Sequence, residues 1–289
     1  MKLIKEKIFP VIISALKEDI GSGDITSSLL FERDTSVVAH IIAKEECVLA
    51  GVDVAKWILD AVDERIIFTA LCSDGDRLKK GKRVISIKGS GKSILSAERT
   101  VLNFFARLSG IATITDKFVK LVTGTGAKIY DTRKTTPGLR DMEKYAVILG
   151  GGCNHRIGLW DGVLIKDNHL DSLKCEVKSE RLQNIKDSVL LFKNRGYKNV
   201  EIEVENLAEF KEAVEAGADI IMLDNMKIED IRKAVKLISR TKPRPLLEVS
   251  GRVNLENARK IAKTGVDRIS VGQLTHSAPS IDFSMEICR

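Results

Sequence analysis

Short apolar runs alternate with polar, helix-like segments throughout the second half of the chain. Helical patterns cover 206–216, 229–238 and 255–264. The apolar runs are typical of buried strands, namely AKIYDT (127–132), GVLIKD (162–167), NVEIEV (199–204), DIIMLD (219–224), PLLEVS (245–250) and RISVG (268–272). Alternation of strand and helix predicts a parallel sheet, and six or seven such units predict an α/β barrel with fewer strands than the usual eight.

The first hundred residues follow a different pattern. A helix over 11–18 is predicted to end at the GSGD turn, after which Thr26 and Ser27 are of the type that begins a helix. A long helical segment, 95–122, leads toward the barrel and is expected to break at the Ser109-Gly110 pair. Between them the pattern predicts a small α+β domain with a helix at 52–62 and strands at 36–43, 46–51, 65–71 and 83–89.

The predicted barrel strands end at residues that can bind a ligand or react: Asp131, Lys166, Glu203, Asp224, Ser250 and Gly272. In α/β barrels the active site lies at the carboxyl ends of the strands. The pattern therefore predicts a single functional site built from these strand ends.

The stretch from 130 to 169 is unusually rich in cationic side chains beside Gly, Pro, Asp or Asn, and they comprise Arg133, Lys134, Arg140, His155, Arg156 and Lys166. Arginine offers paired donors to carboxylates and phosphates, and lysine offers a compact charge. The stretch is thus typical of a site for a small, multiply anionic ligand. The glycines at 150–152 indicate either close backbone approach or a mobile loop that suits phosphate. A cationic surface loop and a glycine hinge with a chance His-Arg pair are the alternatives.

Acidic side chains supply the opposite charge. Glu201, Glu203 and Glu205 alternate along one strand and share one face. We expect Glu203, with Asp224 on the next strand, to face a phosphate that carries Mg²⁺, and the other two to form structural ion pairs. Ser250-Gly251 and Val271-Gly272 end the last two strands, where barrels often bind phosphate.

For three further residues the sequence gives weaker evidence of a role in the functional site. His169 is as typical of a structural hydrogen bond as of a site. Cys153 lies near His155, but no separate group is visible that would orient a thiol nucleophile. From spacing alone, Arg99 is an ordinary residue on a helix surface.

Composition narrows the class of protein. The 289 residues are 44% hydrophobic and 30% charged, which is typical of a globular chain. The net charge of +7 is diffuse and aromatic residues make up only 5%, which favours an anionic small molecule over nucleic acid. Five scattered cysteines favour a reducing cytoplasm, and neither a signal peptide nor a membrane-spanning run is recognisable.

At these residues the chain closely resembles the quinolinate phosphoribosyltransferases, also called nicotinate-nucleotide pyrophosphorylases, of the type II phosphoribosyltransferases. The matching segments run in collinear order over nearly the whole length, and they are EDIGSGDITS (18–27), SAERTVLNFFARLSGIAT (96–113), DTRKTTPGLR (131–140), EKYAVILGGGCNHRIGLWDGVLIKDNH (143–169), EIEVEN (201–206), DIIMLDNM (219–226), LEVSG (247–251) and GVDRISVGQLTHS (265–277).

The resemblance implies a fold and an assembly. An N-terminal α/β sandwich domain (1–112, joined by 275–289) would accompany the incomplete barrel (113–274) in a homodimer with shared active sites. The implied enzyme is a pentosyltransferase that joins quinolinate to phosphoribosyl pyrophosphate with Mg²⁺. The products would be nicotinate mononucleotide, pyrophosphate and CO₂, in NAD biosynthesis.

The resemblance also implies roles for individual residues. Arg133, His155 and Arg156 would bind the two carboxylates of quinolinate, and Lys134 and Lys166 would lie between this acid and the phosphoribosyl group. The other implied roles are the ribose and its magnesium-pyrophosphate for Glu203 and Asp224, the 5′-phosphate for Ser250, Gly251 and Gly272, and the partner subunit's site for Arg99.

The chain departs from the family pattern at two positions. Arg252 stands where the family often has glycine, and Gln273 where a small residue is common. Two other functions stay open at this point. One is a related branch, associated with molybdenum-transport operons, that generally lacks the full DTRKTTPGLR and KDNH motifs; the other is a basic nucleic-acid-binding protein.

Overall fold

The structure is a computed structural model that describes residues 2–31, 35–173 and 178–288. The chain forms two compact units. The first comprises the chain up to Asp116, the segment Thr135–Gly152 and the chain from Leu274 onward. The second comprises Lys117–Lys134 and Cys153–Gln273, so the polypeptide passes back and forth between the two units.

The elements follow one another in chain order. Up to residue 122 they are α1 (Lys5–Ile20), α2 (Ile25–Leu30), β1 (Ser36–Ala43), β2 (Cys47–Val48), α3 (Val52–Val62), β3 (Ile67–Ala70), β4 (Arg77–Leu78), β5 (Arg83–Ser90) and α4 (Gly91–Val122). From there they are β6 (Lys128–Tyr130), α5 (Arg140–Leu149), β7 (Leu164–Ile165), α6 (Asp167–Asp171), α7 (Lys178–Asn194), β8 (Glu201–Val204), α8 (Leu207–Glu215), β9 (Ile220–Asp224), α9 (Ile228–Ile238), β10 (Leu246–Ser250), α10 (Ala258–Ala262), β11 (Arg268–Ser270), α11 (Gln273–His276) and β12 (Phe283–Ile287).

The first unit contains an antiparallel sheet in the order β12-β1-β5-β3. Strand β1 is central to it, because Ile41 pairs with Ile85 on one side and with Met285 on the other. A separate pair of short strands, β2 and β4, lies in the same unit. The small domain of mixed sheet and helix that the pattern predicts is confirmed.

Helix α2 begins at Ile25, so its N-cap precedes the predicted capping residues. The carboxylate of Asp24 accepts the backbone N–H of Ser27 at 2.9 Å, so Asp24 is the N-cap. Thr26 and Ser27 lie inside the helix, and their prediction as capping residues is wrong. Asp24 satisfies the same backbone donor that a Ser or Thr cap would satisfy.

Helix α4 is continuous from Gly91 to Val122, so the predicted break at Ser109-Gly110 does not occur. The glycine has another function. A Cβ on Gly110 would lie 2.0 Å from the carbonyl oxygen of Pro279, so only glycine lets the later segment pass this close to the helix. The packing gained there offsets the weak helix propensity of glycine.

The second unit contains a six-stranded parallel sheet in the order β6-β11-β10-β9-β8-β7. Strand β6, the first of these in the chain, pairs with β11, the last, while the others follow in sequence. This ring-like order is that of an α/β barrel, and the gap falls between β6 and β7. An isolated parallel bridge between Tyr130 and Cys153 extends the sheet beyond β6. The prediction of an incomplete barrel is confirmed.

The glycines at 150–152 serve close packing. A Cβ on Gly150 would come within 2.4 Å of the Ala112 carbonyl oxygen, and one on Gly152 within 2.8 Å of Thr115. Gly151 has φ +84°, a conformation that glycine adopts without strain. Close backbone approach, rather than a mobile phosphate loop, explains this motif.

In the described part of the chain no helix is both long and apolar enough to cross a membrane. Cys47, Cys72, Cys153 and Cys288 are free thiols. Cys175, the remaining cysteine of the sequence, lies outside the described residues.

Candidate active site

The carboxyl ends of the parallel strands bring most of the predicted site residues into the second unit. Strand register places Ser250 directly beside Asp224, and Glu203 beside Met222 on the neighbouring strand. Arg99 lies instead on α4 in the first unit, where its side chain is exposed. The other predicted residues, apart from Lys134, fall into three groups.

The first group is formed by Lys166, Glu203 and Asp224. Lys166 follows β7 and caps α6, where its backbone N–H donates to Nδ1 of His169 at 2.9 Å. This contact makes His169 a structural residue, as its setting in the sequence allowed. The Lys166 ammonium donates to Glu203 at 2.9 Å. Burial raises the pKa of the Glu203 carboxyl, Lys166 opposes this, and the nearby charge of Asp224 adds to the rise.

The second group is cationic and comprises Arg133, His155 and Arg156. The buried carboxylate of Asp131, at the end of β6, accepts the backbone N–H of His155 at 2.8 Å. Arg156 donates from its Nη1 to the carbonyl of Gly162 at 3.0 Å. Burial and the neighbouring charge of Arg133 lower the pKa of the Arg156 guanidinium. Two guanidiniums held this close favour a ligand with two negative charges.

Beneath this group lies a pair of buried carboxylates that the sequence analysis assigned no active role. Glu201, on β8, and Glu248, on β10, are 3% and 0% exposed. The His155 Nε2 atom lies 3.0 Å from Glu201 and 3.4 Å from Glu248. The hydroxyl of Ser270 donates to Glu248. Burial, with the charge of Glu201 second, raises the pKa of Glu248 to about 7.

Strand β8 connects the first two groups. Glu201 and Glu203 are two residues apart on one face, which corresponds to a rise of about 6.6 Å. Glu201 faces the cationic group and Glu203 faces Lys166. Glu205, next in the alternation, is exposed and lies 3.9 Å from Arg181, in agreement with its prediction as a structural ion pair.

The third group lies after β10 and β11, where a phosphate site is predicted. Ser250, Gly251 and Arg252 line a pocket of about 210 Å³ together with Asn225. Gly251 has φ +90°, and a Cβ there would lie 2.3 Å from the Asn225 side-chain oxygen. Gly272 is the second residue after β11. Both the backbone conformation and the lack of space therefore require glycine at 251.

Arg252 adopts φ +50°, a left-handed conformation that is rare for arginine. Its carbonyl accepts a hydrogen bond from the Asn257 side chain at 3.0 Å, which holds the turn in place. The departure from the family glycine at 252 thus preserves the loop conformation that glycine favours.

The motif at 131–140 is divided between the units. Lys134 is exposed, and its backbone N–H donates to the Thr132 hydroxyl at 3.1 Å. Arg140 begins α5 and donates to the Thr135 hydroxyl at 3.0 Å. In the same unit the buried Glu143 accepts the Thr136 N–H at 3.1 Å and the Arg107 guanidinium at 2.7 Å. Arg107 was not recognised from the sequence.

Two kinds of carboxylate can hold a metal here. Glu203 and Asp224 are the predicted ligands; burial is the main cause of the raised pKa of Glu203, and the charge of Asp224 adds to it, so a cation would favour both carboxylates. Mg²⁺ commonly uses one or two carboxylates together with substrate phosphates, so this donor set fits it. His155, Glu201 and Glu248 also approach within 4.8 Å of one another. Their deep burial next to arginines suits an internal charge network better than Mg²⁺.

Comparison with known proteins identifies the family. Residues 24–109 match the family described as quinolinate phosphoribosyl transferase, N-terminal domain, and residues 111–286 match its C-terminal domain. The nicotinate-nucleotide pyrophosphorylase [carboxylating] of Mycobacterium leprae is 40% identical over 278 residues, which are 94% of this chain and 94% of that one. Quinolinate phosphoribosyltransferase [decarboxylating] 1b of Nicotiana tabacum is 39% identical, over 96% of this chain and 81% of its own.

A solved structure agrees as well. The nicotinate-nucleotide pyrophosphorylase from Francisella tularensis superimposes with a TM-score of 0.89 at 42% identity, over 99% of this chain and 98% of that one. Both family domains, nearly full-length relatives and the whole fold therefore coincide. The chain belongs to the quinolinate phosphoribosyltransferase family.

Proposed function

We propose that the protein transfers a phosphoribosyl group from phosphoribosyl pyrophosphate to quinolinate and releases CO₂, pyrophosphate and nicotinate mononucleotide, as a step of NAD biosynthesis. The observation that supports this most directly is the arrangement along β8. The cationic group beside Glu201 and the Lys166–Glu203 pair share one strand face. A diacid and a phosphorylated sugar need neighbouring sites of this kind to react with each other.

The cationic group is assigned to the diacid. Arg133 and Arg156 offer planar, paired donors, which match carboxylates better than a lysine does. Burial of Arg156 and the nearby Arg133 disfavour the charged form of Arg156, and Glu201 opposes this only in part. An arriving dianion compensates both charges, so binding energy is concentrated on ligands with two carboxylates.

The second group acts on the ribose and its leaving group. As the bond between the ribose C1 atom and pyrophosphate breaks, positive charge develops on the sugar. The carboxylates of Glu203 and Asp224 stabilise this charge, and Lys166 lies where it can neutralise phosphate oxygens. The pyridine nitrogen of quinolinate then forms the new bond to C1.

Decarboxylation follows from the new positive charge on the ring nitrogen. The electron pair of the bond to the adjacent carboxylate remains on the ring carbon, CO₂ departs, and the carbon then takes a proton from water. The residues that bind the diacid need only hold it in place during this step. Lys134 is assigned a place between the two substrates, although its side chain is exposed in this chain.

Mg²⁺, bound as the complex with phosphoribosyl pyrophosphate, would be held by Glu203 and Asp224 and would neutralise the charge of the departing pyrophosphate. The pocket of Ser250 and Gly251, with Gly272 after the neighbouring strand, is assigned to the 5′-phosphate. Backbone amides at such turns can bind phosphate without a charged side chain.

The assembly is proposed to be a cytoplasmic homodimer in which Arg99 completes the partner's site. Its exposed position on α4 leaves the guanidinium available for a second chain. The family resemblance matches Arg99 to a residue that reaches into the partner subunit's site.

One assay tests the proposed function. Purified protein receives quinolinate labelled in the carboxylate next to the nitrogen, phosphoribosyl pyrophosphate and Mg²⁺, and both CO₂ and nicotinate mononucleotide are measured. Equal amounts of the two products are expected, and a chelator should abolish both until Mg²⁺ is restored. Folded protein that yields neither product contradicts the proposal, and salt-sensitive binding of RNA or DNA would favour the nucleic-acid alternative.

A further inference from the structure

Glu201 and Glu248 enclose the ring of His155 from two strands. The Nε2 atom lies 3.0 Å from the Glu201 carboxylate and 3.4 Å from that of Glu248. The three side chains are almost excluded from solvent, with 4%, 0% and 9% of their area exposed for Glu201, Glu248 and His155. Such a contact fixes the plane of the imidazole ring.

The contacts of the other ring nitrogen determine where the proton lies. Nδ1 of His155 accepts the backbone N–H of Arg156 at 2.8 Å, so it carries no proton in this arrangement. The ring proton is therefore assigned to Nε2, which faces the two carboxylates. Each ring nitrogen faces a protein group, and the ring connects the carboxylate pair to the backbone of Arg156.

The unfavourable free energy of burying Glu201 and Glu248 side by side indicates that the pair has a function. Two carboxylates buried side by side are unfavourable, and an apolar pair of similar size is often at least as stable. One oxygen of Glu201 and one of Glu248 lack a hydrogen-bond partner, and the guanidinium of Arg268 lies 3.8 Å from Glu248. Packing alone does not explain these two residues.

We propose that Glu201 and Glu248 are positioning residues for the diacid site, which act through His155 to hold Arg156 in its binding orientation. Glu201 also supplies negative charge that offsets the repulsion between Arg156 and Arg133. The inference rests on the proposed function, because it concerns the recognition of quinolinate by that site. It predicts that the pair affects the diacid and not the phosphoribosyl donor.

The test uses replacements that separate charge from contact. Glu201→Leu removes the carboxylate that lies 3.0 Å from Nε2 of His155, whereas Glu201→Gln keeps a side chain of the same shape without the charge. Glu205→Gln is the matched control, since Glu205 directly follows β8 and is exposed. Binding of quinolinate alone is measured by calorimetry, and KM for each substrate and kcat are measured in the full reaction.

We expect Glu201→Leu to raise the Kd and KM for quinolinate about tenfold, which is typical of the loss of an interaction between two residues in contact. The KM for phosphoribosyl pyrophosphate should stay within about twofold, and Glu201→Gln, which keeps the shape but not the charge, should recover only part of the loss. A merely structural role would instead lower kcat and thermal stability and leave both KM values unchanged, and that pattern would overturn the proposal.

A double-mutant cycle tests whether Glu201 acts through His155. Glu201→Leu should change quinolinate affinity less than about twofold once His155→Ala is present. If the two losses multiply, Glu201 acts independently and the proposal is wrong. Should Glu201→Leu not fold, His155→Asn keeps an acceptor near Nδ1 but cannot reach the carboxylates, and unchanged quinolinate affinity in that variant refutes the link.

The parent protein separates the two hypotheses. A parent that neither binds quinolinate nor produces nicotinate mononucleotide contradicts the proposed function itself. If the parent is active and Glu201→Leu leaves the Kd and KM for quinolinate unchanged, only the positioning role is contradicted.

Discussion

At the scale of single residues, the two sides of the site differ in how far the sequence predicts them. Arg156 and Lys166 stand out because cations beside glycine and aspartate are unusual on a regular surface. Glu248 does not stand out, because it is a single carboxylate in an apolar strand. Its contact with His155 forms only when the fold brings β10 next to the loop that carries His155. Charged residues proposed to bind the ligand are thus recognisable in the sequence. Buried charged residues that contact those residues are not.

Arg156 should be necessary for recognition of the diacid and dispensable for folding. We expect Arg156→Ala to lower kcat/KM for quinolinate at least about a hundredfold, because a charge-assisted, two-pronged contact is lost. Arg244→Ala is the matched control, since Arg244 forms an exposed ion pair with Asp267 at 3.0 Å. Steady-state kinetics and thermal melting of both variants provide the comparison; an unchanged kcat/KM in Arg156→Ala refutes the assignment.

Glu248 should make the stability depend on pH. Its pKa is raised from 4.5 to about 7, so the native state binds this proton more tightly than the unfolded chain. Its stabilising contribution is therefore full below about pH 4.5 and is lost as the pH rises through about 7. His155, Glu201, Ser270 and Arg268 are the polar groups that influence this carboxyl.

Glu248→Gln imitates the protonated form and should remove this part of the pH dependence. The melting temperature of the parent, relative to that of Glu248→Gln, is expected to fall between pH 5 and pH 8 by several degrees, as a loss of roughly 1–3 kcal/mol would cause. The comparison uses thermal melting in buffers of constant ionic strength. A difference that stays constant over this range would show that Glu248 does not take up the proton.

At the scale of elements, packing decides what local propensity leaves open. A Ser-Gly pair within a long helical pattern normally predicts an interruption. Helix α4 continues through it because the segment at Pro279 lies against the helix at Gly110. Information about that segment is located far along the chain, so no local pattern contains it.

Gly110→Ala should destabilise the protein, although alanine is the better helix former. The added Cβ would lie 2.0 Å from the Pro279 carbonyl oxygen, and relief of that overlap should cost about 1–3 kcal/mol. Asn103→Ala, at an exposed position of the same helix, should be neutral or slightly stabilising. Helix melting followed by circular dichroism distinguishes them, and equal melting temperatures would contradict the close packing at Gly110.

At the scale of the whole molecule, the fold is more predictable than its division into units. Alternating strands and helices predict the parallel sheet, and its ring-like order follows from the short connections. The place of Thr135–Gly152 in the first unit could not be predicted, since its contacts with α4 depend on glycines that also suit a loop. Helix α5 was missed for the same reason, because the motif around it resembles an anion site more than a helix.

The proposed homodimer has a quantitative signature. If Arg99 serves the partner's site, Arg99→Ala and Arg156→Ala should each be nearly inactive, yet a mixed dimer contains one site with both defects and one intact site. Random reassociation of equal amounts should therefore restore about a quarter of the parental activity. Activity is measured after the two variants are unfolded and refolded together. Refolding each variant separately is the control, and no recovery in the mixture would place Arg99 in its own chain's site or outside the site altogether.

The position of β1 in its sheet has a consequence for folding during synthesis. Its outer neighbour, β12, is distant in the chain, and the ion pair between Lys44 and Glu286 joins residues 242 positions apart. At the usual rate of translation, one edge of β1 stays unpaired for on the order of ten seconds or more, until β12 has been synthesised. An unpaired apolar strand edge readily recruits other chains. A polypeptide that ends before β12 would therefore leave this edge of β1 unpaired and prone to aggregation.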